Sequence, residues 1–151
     1  MKNLFLIFIF WFSFSSCGYI PLRNSFHQVC WRVGGGSKIE HCIDVEVVQK
    51  ENELVRGLQF RDSLAPNAGM LFIFPFSRIY PFWMKDTKIP LDMIWMDQSG
   101  RIVYIEKNVP PCRQDPCLVY TPGSEALTVL EINSGYSDFL GLKIGDRARF
   151  K

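Results

Sequence analysis

The apolar residues of this chain come in short runs that a proline, a glycine or a polar turn soon interrupts. In the clearest case, residues 91–97 and 101–106 flank a turn that ends at Gly100. Glycine at that position supplies the left-handed backbone that a tight hairpin needs. Runs of this length favour strands over helices. The sequence therefore predicts a mainly β, barrel-like domain with one or two short helices.

Other segments continue the same pattern. Further strands are predicted at residues 70–74, 80–84, 126–132 and 147–150. Pro75 follows the first of these strands and is expected to end it. One short helix is predicted over residues 53–58 and another shortly after residue 134. Ser134 or Ser137 is the expected cap of the second helix, because a serine hydroxyl accepts a bond from an unpaired helix N–H.

The N-terminal residues have the pattern of an export signal. Lys2 provides the positive start, and residues 4–14 form an apolar stretch, whereas a membrane-spanning helix needs about 20 such residues. The segment ends in Phe14-Ser15-Ser16-Cys17, which is similar to a lipobox, so Cys17 is the expected lipidation site. The alternative is an ordinary cleaved signal with a chance cysteine. The expected organisation is residues 1–16 as signal peptide, 17–25 as lipid anchor and tether, and 26–151 as a single domain.

The charge of the chain argues against a nucleic-acid partner. The formal net charge is +2, and removal of the signal takes away only Lys2. No basic run remains that could neutralise a row of phosphates. From the signal and the lipobox-like segment, we expect an extracytoplasmic, membrane-anchored lipoprotein. Its expected partners are the membrane, through the lipid anchor, and an envelope protein or small-molecule ligand, with no cofactor.

Four cysteines follow the lipidation site, and an even number in an exported chain is typical of disulfides. Strand alternation on both sides of a glycine turn at residues 34–36 places Cys30 opposite Cys42. The same register places Arg32 opposite Glu40, a favourable charge pair. Directly opposed residues of an antiparallel pair lie within reach of a disulfide. The hairpin therefore predicts a Cys30–Cys42 bond.

Cys112 and Cys117 then pair by elimination and close a short proline-rich loop. The alternative for this pair is redox chemistry or metal binding, although the spacing is not Cys-x-x-Cys. A zinc site in the first hairpin is not expected. Its His41 and Cys42 are adjacent, and neighbouring residues on a strand point to opposite faces.

Four motifs stand along the chain in a recognisable order. They are Arg56-Gly57-Leu58, Gly69-Met70-Leu71-Phe72-Ile73-Phe74, the run of aromatic residues and methionines within residues 82–96, and Leu130-Glu131-Ile132-Asn133-Ser134-Gly135. With these motifs, residues 43–150 resemble the DUF192 family of bacteria and archaea. The resemblance implies a compact, mostly antiparallel fold. It implies no activity, since none is common to the family.

The motifs contain five candidate ligand-binding residues, namely Arg56, Trp83, Lys85, Asp92 and Glu131. Asp92 and Glu131 share the strand parity of apolar neighbours, so both carboxyl groups are expected to face packed surface. A buried carboxylate is costly unless it is paired or hydrogen-bonded, and Lys85, Arg56 or a ring of backbone N–H groups could satisfy Asp92. The alternative is that these charges pair internally and fix the packing. The aromatic residues around Trp83 are either core or a platform for a ligand.

Catalytic motifs are largely missing. The sequence has no Gly-x-Ser-x-Gly, no His-Glu-x-x-His and no phosphate-binding glycine loop, so no catalytic residue is assigned. The sequence favours a binding or interaction module for a small ligand or for an extended segment of another exported protein. The competing hypothesis is an enzyme that uses Asp92 and Glu131 on envelope carbohydrate. That mechanism requires the two carboxyl groups to lie within about 5–10 Å of each other.

Overall fold

A computed structural model describes residues 27–32 and 40–151 of the chain. The strands of this part are β1 (Gln28–Arg32), β2 (Glu40–Val48), β3 (Ala68–Arg78), β4 (Phe82–Trp83), β5 (Leu91–Met96), β6 (Ile102–Val109), β7 (Val119–Tyr120), β8 (Ala126–Asn133) and β9 (Arg149–Phe150). The helices are α1 (Glu51–Arg56) and α2 (Tyr136–Phe139). Neither helix of this described part is long and apolar enough to cross a membrane.

Seven of the strands form one curled sheet in the order β6-β5-β8-β3-β2-β1-β9, and β4 pairs with β7 in a separate ribbon. Neighbouring strands are antiparallel except β2 and β3, which are parallel and joined through α1. The sheet curls until its two ends meet. There the N–H of Ile102 donates to the carbonyl of Asp146, and that of Ala148 to Gly100, both at 2.8 Å. The predicted mainly β, barrel-like fold is confirmed as a half-barrel.

Each face of the sheet carries its own apolar core. Along the central strand β5, Ile94 and Met96 belong to one core, while Met93 and Trp95 belong to the other. All six residues of β5 are buried, because the strand is covered on both faces. A polar side chain on β5 or on its neighbour β8 therefore faces only one of the two cores.

The first hairpin has the predicted register, with Cys30 opposite Cys42 and Arg32 opposite Glu40. The Cα atoms of Cys30 and Cys42 are 4.0 Å apart and their sulfur atoms are joined. The sulfur atoms of the second predicted pair, in the proline-rich loop between β6 and β7, are joined as well. The turn at residues 34–36, the signal segment and the lipidation site lie outside the described residues.

The third strand differs from the prediction. The sequence predicts a break at Pro75, but β3 continues through it to Arg78. The pairing of β3 with β8 shifts between Ile73 and Arg78, so the proline lies in an irregular stretch of the ladder. Its missing N–H costs no regular sheet bond there, which explains why the strand tolerates it.

Candidate functional site

Asp92 lies inside the fold with no exposed surface. Its Oδ1 accepts the N–H of Asn108 at 2.8 Å and that of Gly135 at 3.1 Å. Its Oδ2 accepts the N–H of Ser137 at 2.9 Å and the hydroxyl of the same residue at 2.6 Å. Three backbone N–H groups and one hydroxyl thus satisfy both oxygens, as burial of a carboxylate requires.

The same hydrogen bonds satisfy N–H groups at the start of helix α2. The predicted serine cap of this helix is not found. Gly135 occupies the cap position, and no side-chain bond caps the helix from there. Asp92 replaces that cap from β5 by accepting the N–H groups of Gly135 and Ser137. A side chain from a distant strand thus satisfies the orphan donors that every helix start leaves. Asp92 joins β5, the end of β6 and α2, and this makes it a structural residue.

Glu131 lies on the other face of the sheet. The register of β5 with β8 pairs Met93 with Glu131 and Asp92 with Ile132. Because successive strand residues point to opposite faces, the sheet separates the two carboxyl groups. A glycosidase-type mechanism needs both carboxyl groups around one bond of the substrate. The fold is incompatible with that use of this pair.

Glu131 is 5 % exposed. Within residues 27–32 and 40–151, its carboxyl group has no hydrogen-bond donor and no ion-pair partner. Burial raises the pKa of Glu131 from its ordinary 4.5 to about 8, because the ionised form loses its hydration. Glu131 is therefore mainly protonated at neutral pH and carries an unused donor and acceptor.

The Glu131 side chain borders a cavity of about 260 Å³. The apolar and aromatic residues of its wall come from α1, β3, β4 and the loops next to them. They are Leu54, Val55, Leu58, Phe72, Phe74, Tyr80, Pro81, Phe82 and Trp83. Gly57 keeps this space open, since a Cβ atom there would lie 3.2 Å from the ring of Phe72 and 3.9 Å from Oε2 of Glu131. We call this space the Glu131 cavity.

Four of the five candidate residues line the Glu131 cavity: Arg56, Trp83, Lys85 and Glu131. Arg56 is exposed at the end of α1, and the Trp83 side chain is 49 % exposed. The Lys85 Nζ lies 5.8 Å from the centre of a Trp83 ring and 4.0 Å from a carboxyl oxygen of Asp115. Two cationic side chains thus border a cavity whose wall contains a buried carboxyl group.

The wall residues that the sequence did not indicate as site candidates include Phe72 and Phe74. They share a face of β3 with Met70, which pairs directly with Glu131 on β8. Phe74 stacks on Tyr80 with ring centres 3.6 Å apart. Alternation along β3 is visible in the sequence, but the pairing that brings this face to Glu131 is not.

Comparison with known proteins decides the family. The sequence profile of DUF192, described as an uncharacterized ACR, matches residues 33–150. The chain belongs to the DUF192 family. The match extends over most of the chain, including all four motifs, so the DUF192 fold covers both the Asp92 network and the Glu131 cavity.

Two solved structures are similar to this DUF192 chain. One is a protein of unknown function from Novosphingobium aromaticivorans, with 33 % identity, a TM-score of 0.71, and coverage of 81 % of this chain and 83 % of that one. The other, from Sinorhizobium meliloti, is described as a candidate transcription regulator. It has 31 % identity, a TM-score of 0.72, and coverage of 85 % of this chain and 97 % of that one. Curated proteins gave no match.

The residues of the Glu131 cavity in this DUF192 domain can bind a ligand in several ways. When protonated, the carboxyl group of Glu131 donates and accepts hydrogen bonds. When ionised, it attracts a cation in a site of low dielectric constant, where such attraction is strong. Perturbed carboxyl groups in clefts are common at functional sites. The aromatic wall adds apolar contact area and ring faces.

Proposed function

We propose that this protein is a membrane-tethered, extracytoplasmic binding domain that takes a small ligand into the Glu131 cavity. The observation that carries the proposal is the Glu131 carboxyl group, which is buried, has no partner among the described residues and borders an aromatic cavity. A ligand in the cavity that hydrogen-bonds or pairs with Glu131 would supply the partner that the described residues do not.

The tether is proposed from the sequence. A lipid on Cys17 would hold the domain at the outer face of a membrane, since residues 1–16 resemble an export signal. The two cysteine pairs of the domain fit an oxidising compartment. A domain in this position meets cell-wall fragments, lipid headgroups and solutes of the envelope.

The cavity is a better candidate than strand addition for contact with a partner. The edge strand β9 has only two residues, which offers little backbone for an added strand. At the other edge, Ile102 of β6 already bonds to Asp146 and Gly145. The segment before β9 thus covers the start of β6, which shortens the free part of that edge.

A thermal-shift screen of the full chain in dodecyl maltoside tests the proposal. The ligands are cell-wall sugars, amines, carboxylic acids and zwitterions. A ligand at about 100 times its dissociation constant adds roughly 2.7 kcal/mol to stability and raises the midpoint by several degrees. Glu131→Gln keeps the shape of the side chain and removes its ability to ionise, and Trp83→Ala truncates the exposed wall.

The expected result is at least one ligand whose shift both variants reduce. If every shift persists in both variants, the ligands bind elsewhere and the proposal is wrong. If a bound ligand is converted to product and Glu131→Gln stops the conversion, the domain is an enzyme with one acid–base carboxyl group. That outcome would replace the binding role.

A further inference from the structure

We infer that the ligand of the Glu131 cavity is a small zwitterion whose ammonium group enters the cavity beside Glu131 while its anionic group stays at the mouth near Arg56 and Lys85. This inference rests on the proposed function and adds the chemical class of the ligand. It uses the four candidate residues that the fold brings together.

The inner part of the cavity suits an ammonium group. The Glu131 carboxyl group supplies a negative charge when ionised, and the rings of Phe72, Tyr80 and Phe82 surround the same space. Organic ammonium ions bind well to such combinations of aromatic faces and a carboxylate. The ring of Trp83 already makes a cation–π contact within the protein, since the Lys85 Nζ lies 5.8 Å from its centre.

The mouth of the cavity suits an anion. Arg56 is exposed, and the described residues give it no carboxylate within ion-pair distance. Lys85 pairs with Asp115 only at 4.0 Å, with both side chains largely open to solvent. A guanidinium group binds phosphate or carboxylate through two parallel hydrogen bonds. A ligand with a cation alone would leave Arg56 without an anionic partner among the described residues.

The size of the cavity limits the ligand. A trimethylammonium or primary ammonium end is small enough for a cavity of about 260 Å³. The shared chemistry is therefore that of phosphocholine-like compounds, either free or as the headgroup of a lipid.

The state of Glu131 predicts how the affinity depends on pH. Free Glu131 is mainly protonated below its raised pKa of about 8, and only the ionised form attracts an ammonium group. The fraction that can bind therefore grows with pH, and the affinity grows with it. Between pH 6.5 and 8.5 we expect an increase of about 20-fold.

Other groups near Glu131 do not produce this pH dependence. The neighbouring strands face it with apolar side chains, Met70 and Phe72 on β3 and Met93 on β5. The charged or titratable side chains that line the cavity with it are Arg56, Lys85 and Tyr80. Burial raises the pKa of Tyr80 above its ordinary 10, so its hydroxyl stays neutral over this range.

Isothermal titration of the full chain in dodecyl maltoside tests the inference with three probes. Phosphocholine carries both charges, 3,3-dimethylbutyl phosphate replaces its nitrogen by carbon, and choline lacks its phosphate. We expect phosphocholine to bind at least about tenfold more tightly than either of the others, with the stated rise toward pH 8.5. Glu131→Gln should remove the advantage over the carbon analogue and the pH dependence. Arg56→Gln should weaken phosphocholine and leave choline unchanged.

The outcomes separate this inference from the proposed function. Equal binding of phosphocholine and its carbon analogue, with both lost in Glu131→Gln, would overturn the zwitterion but keep the cavity as a binding site. No binding of any probe at 10 mM would also overturn it, and the wider ligand screen would then decide the proposed function. If phosphocholine binds as expected, phosphatidylcholine vesicles that compete with it identify a lipid headgroup as the ligand. Absence of competition would identify a soluble zwitterion.

Discussion

Replacement of Asp92 by asparagine should strongly destabilise the domain. The substitution keeps the shape of the side chain but turns one acceptor oxygen into an NH2 group. An NH2 group in the place of Oδ1 leaves the N–H groups of Asn108 and Gly135 without an acceptor. In the place of Oδ2 it leaves the N–H of Ser137 without one, while the Ser137 hydroxyl can turn and accept from it. Each unsatisfied donor costs about 1–3 kcal/mol. We expect a loss of about 3 kcal/mol, or roughly 10 °C in the melting temperature.

Urea unfolding followed by circular dichroism measures this loss, with two matched controls. Ser137→Ala removes only the hydroxyl bond to Asp92 and should cost about 1 kcal/mol. Glu131→Gln changes a buried carboxyl group on the other face of the sheet that has no bond to lose among the described residues. If Asp92→Asn costs no more than Ser137→Ala, the account of Asp92 as the anchor of α2 is refuted.

Three further predictions concern other parts of the chain. Between pH 4.5 and about 8 the folded state binds more protons at Glu131 than the unfolded state, so wild-type stability should fall with rising pH relative to Glu131→Gln. The slope in urea unfolding should be at most about 1.4 kcal/mol for each pH unit, and parallel curves would contradict the raised pKa. Gly57→Ala should cost about 1–3 kcal/mol, because Gly57 has a φ of 47° and its added Cβ would press on Phe72. The control is Gly123→Ala, where a Cβ meets nothing within 4 Å, and an equal effect of the two would refute the reasoning. Cys17→Ser should move the protein from the membrane fraction to the soluble fraction, and continued sedimentation with membranes would exclude the lipid tether.

The two carboxyl groups show how far alternation along a strand can predict a site. The sequence predicts that Asp92 and Glu131 are buried, because each shares the parity of apolar neighbours, and both are buried in the structure. Alternation does not tell which face of a shared sheet each strand presents. The register of β5 with β8 decides that, and it places the two side chains on opposite faces. The hypothesis of a paired carboxylate enzyme failed at this step.

The start of α2 shows a second limit of local patterns. A serine near the start of a helix is a common cap, so the sequence favours Ser134 or Ser137. The actual acceptor is Asp92, which lies 45 positions before Ser137. A prediction from neighbouring residues cannot find a cap that arrives from another strand.

Short-range patterns in the sequence were enough to predict most of the strands, the register of the first hairpin and the burial of the two carboxyl groups. These features follow from short-range periodicity and from turns, in which interacting residues are close along the chain. The tertiary structure alone decided that Asp92 is fully hydrogen-bonded while Glu131 has no partner among the described residues, and that Glu131 borders an aromatic cavity. These features depend on contacts between strands and loops that are far apart in sequence. Whether a buried carboxyl group becomes an anchor or a candidate binding group is set by the donors that the fold brings to it.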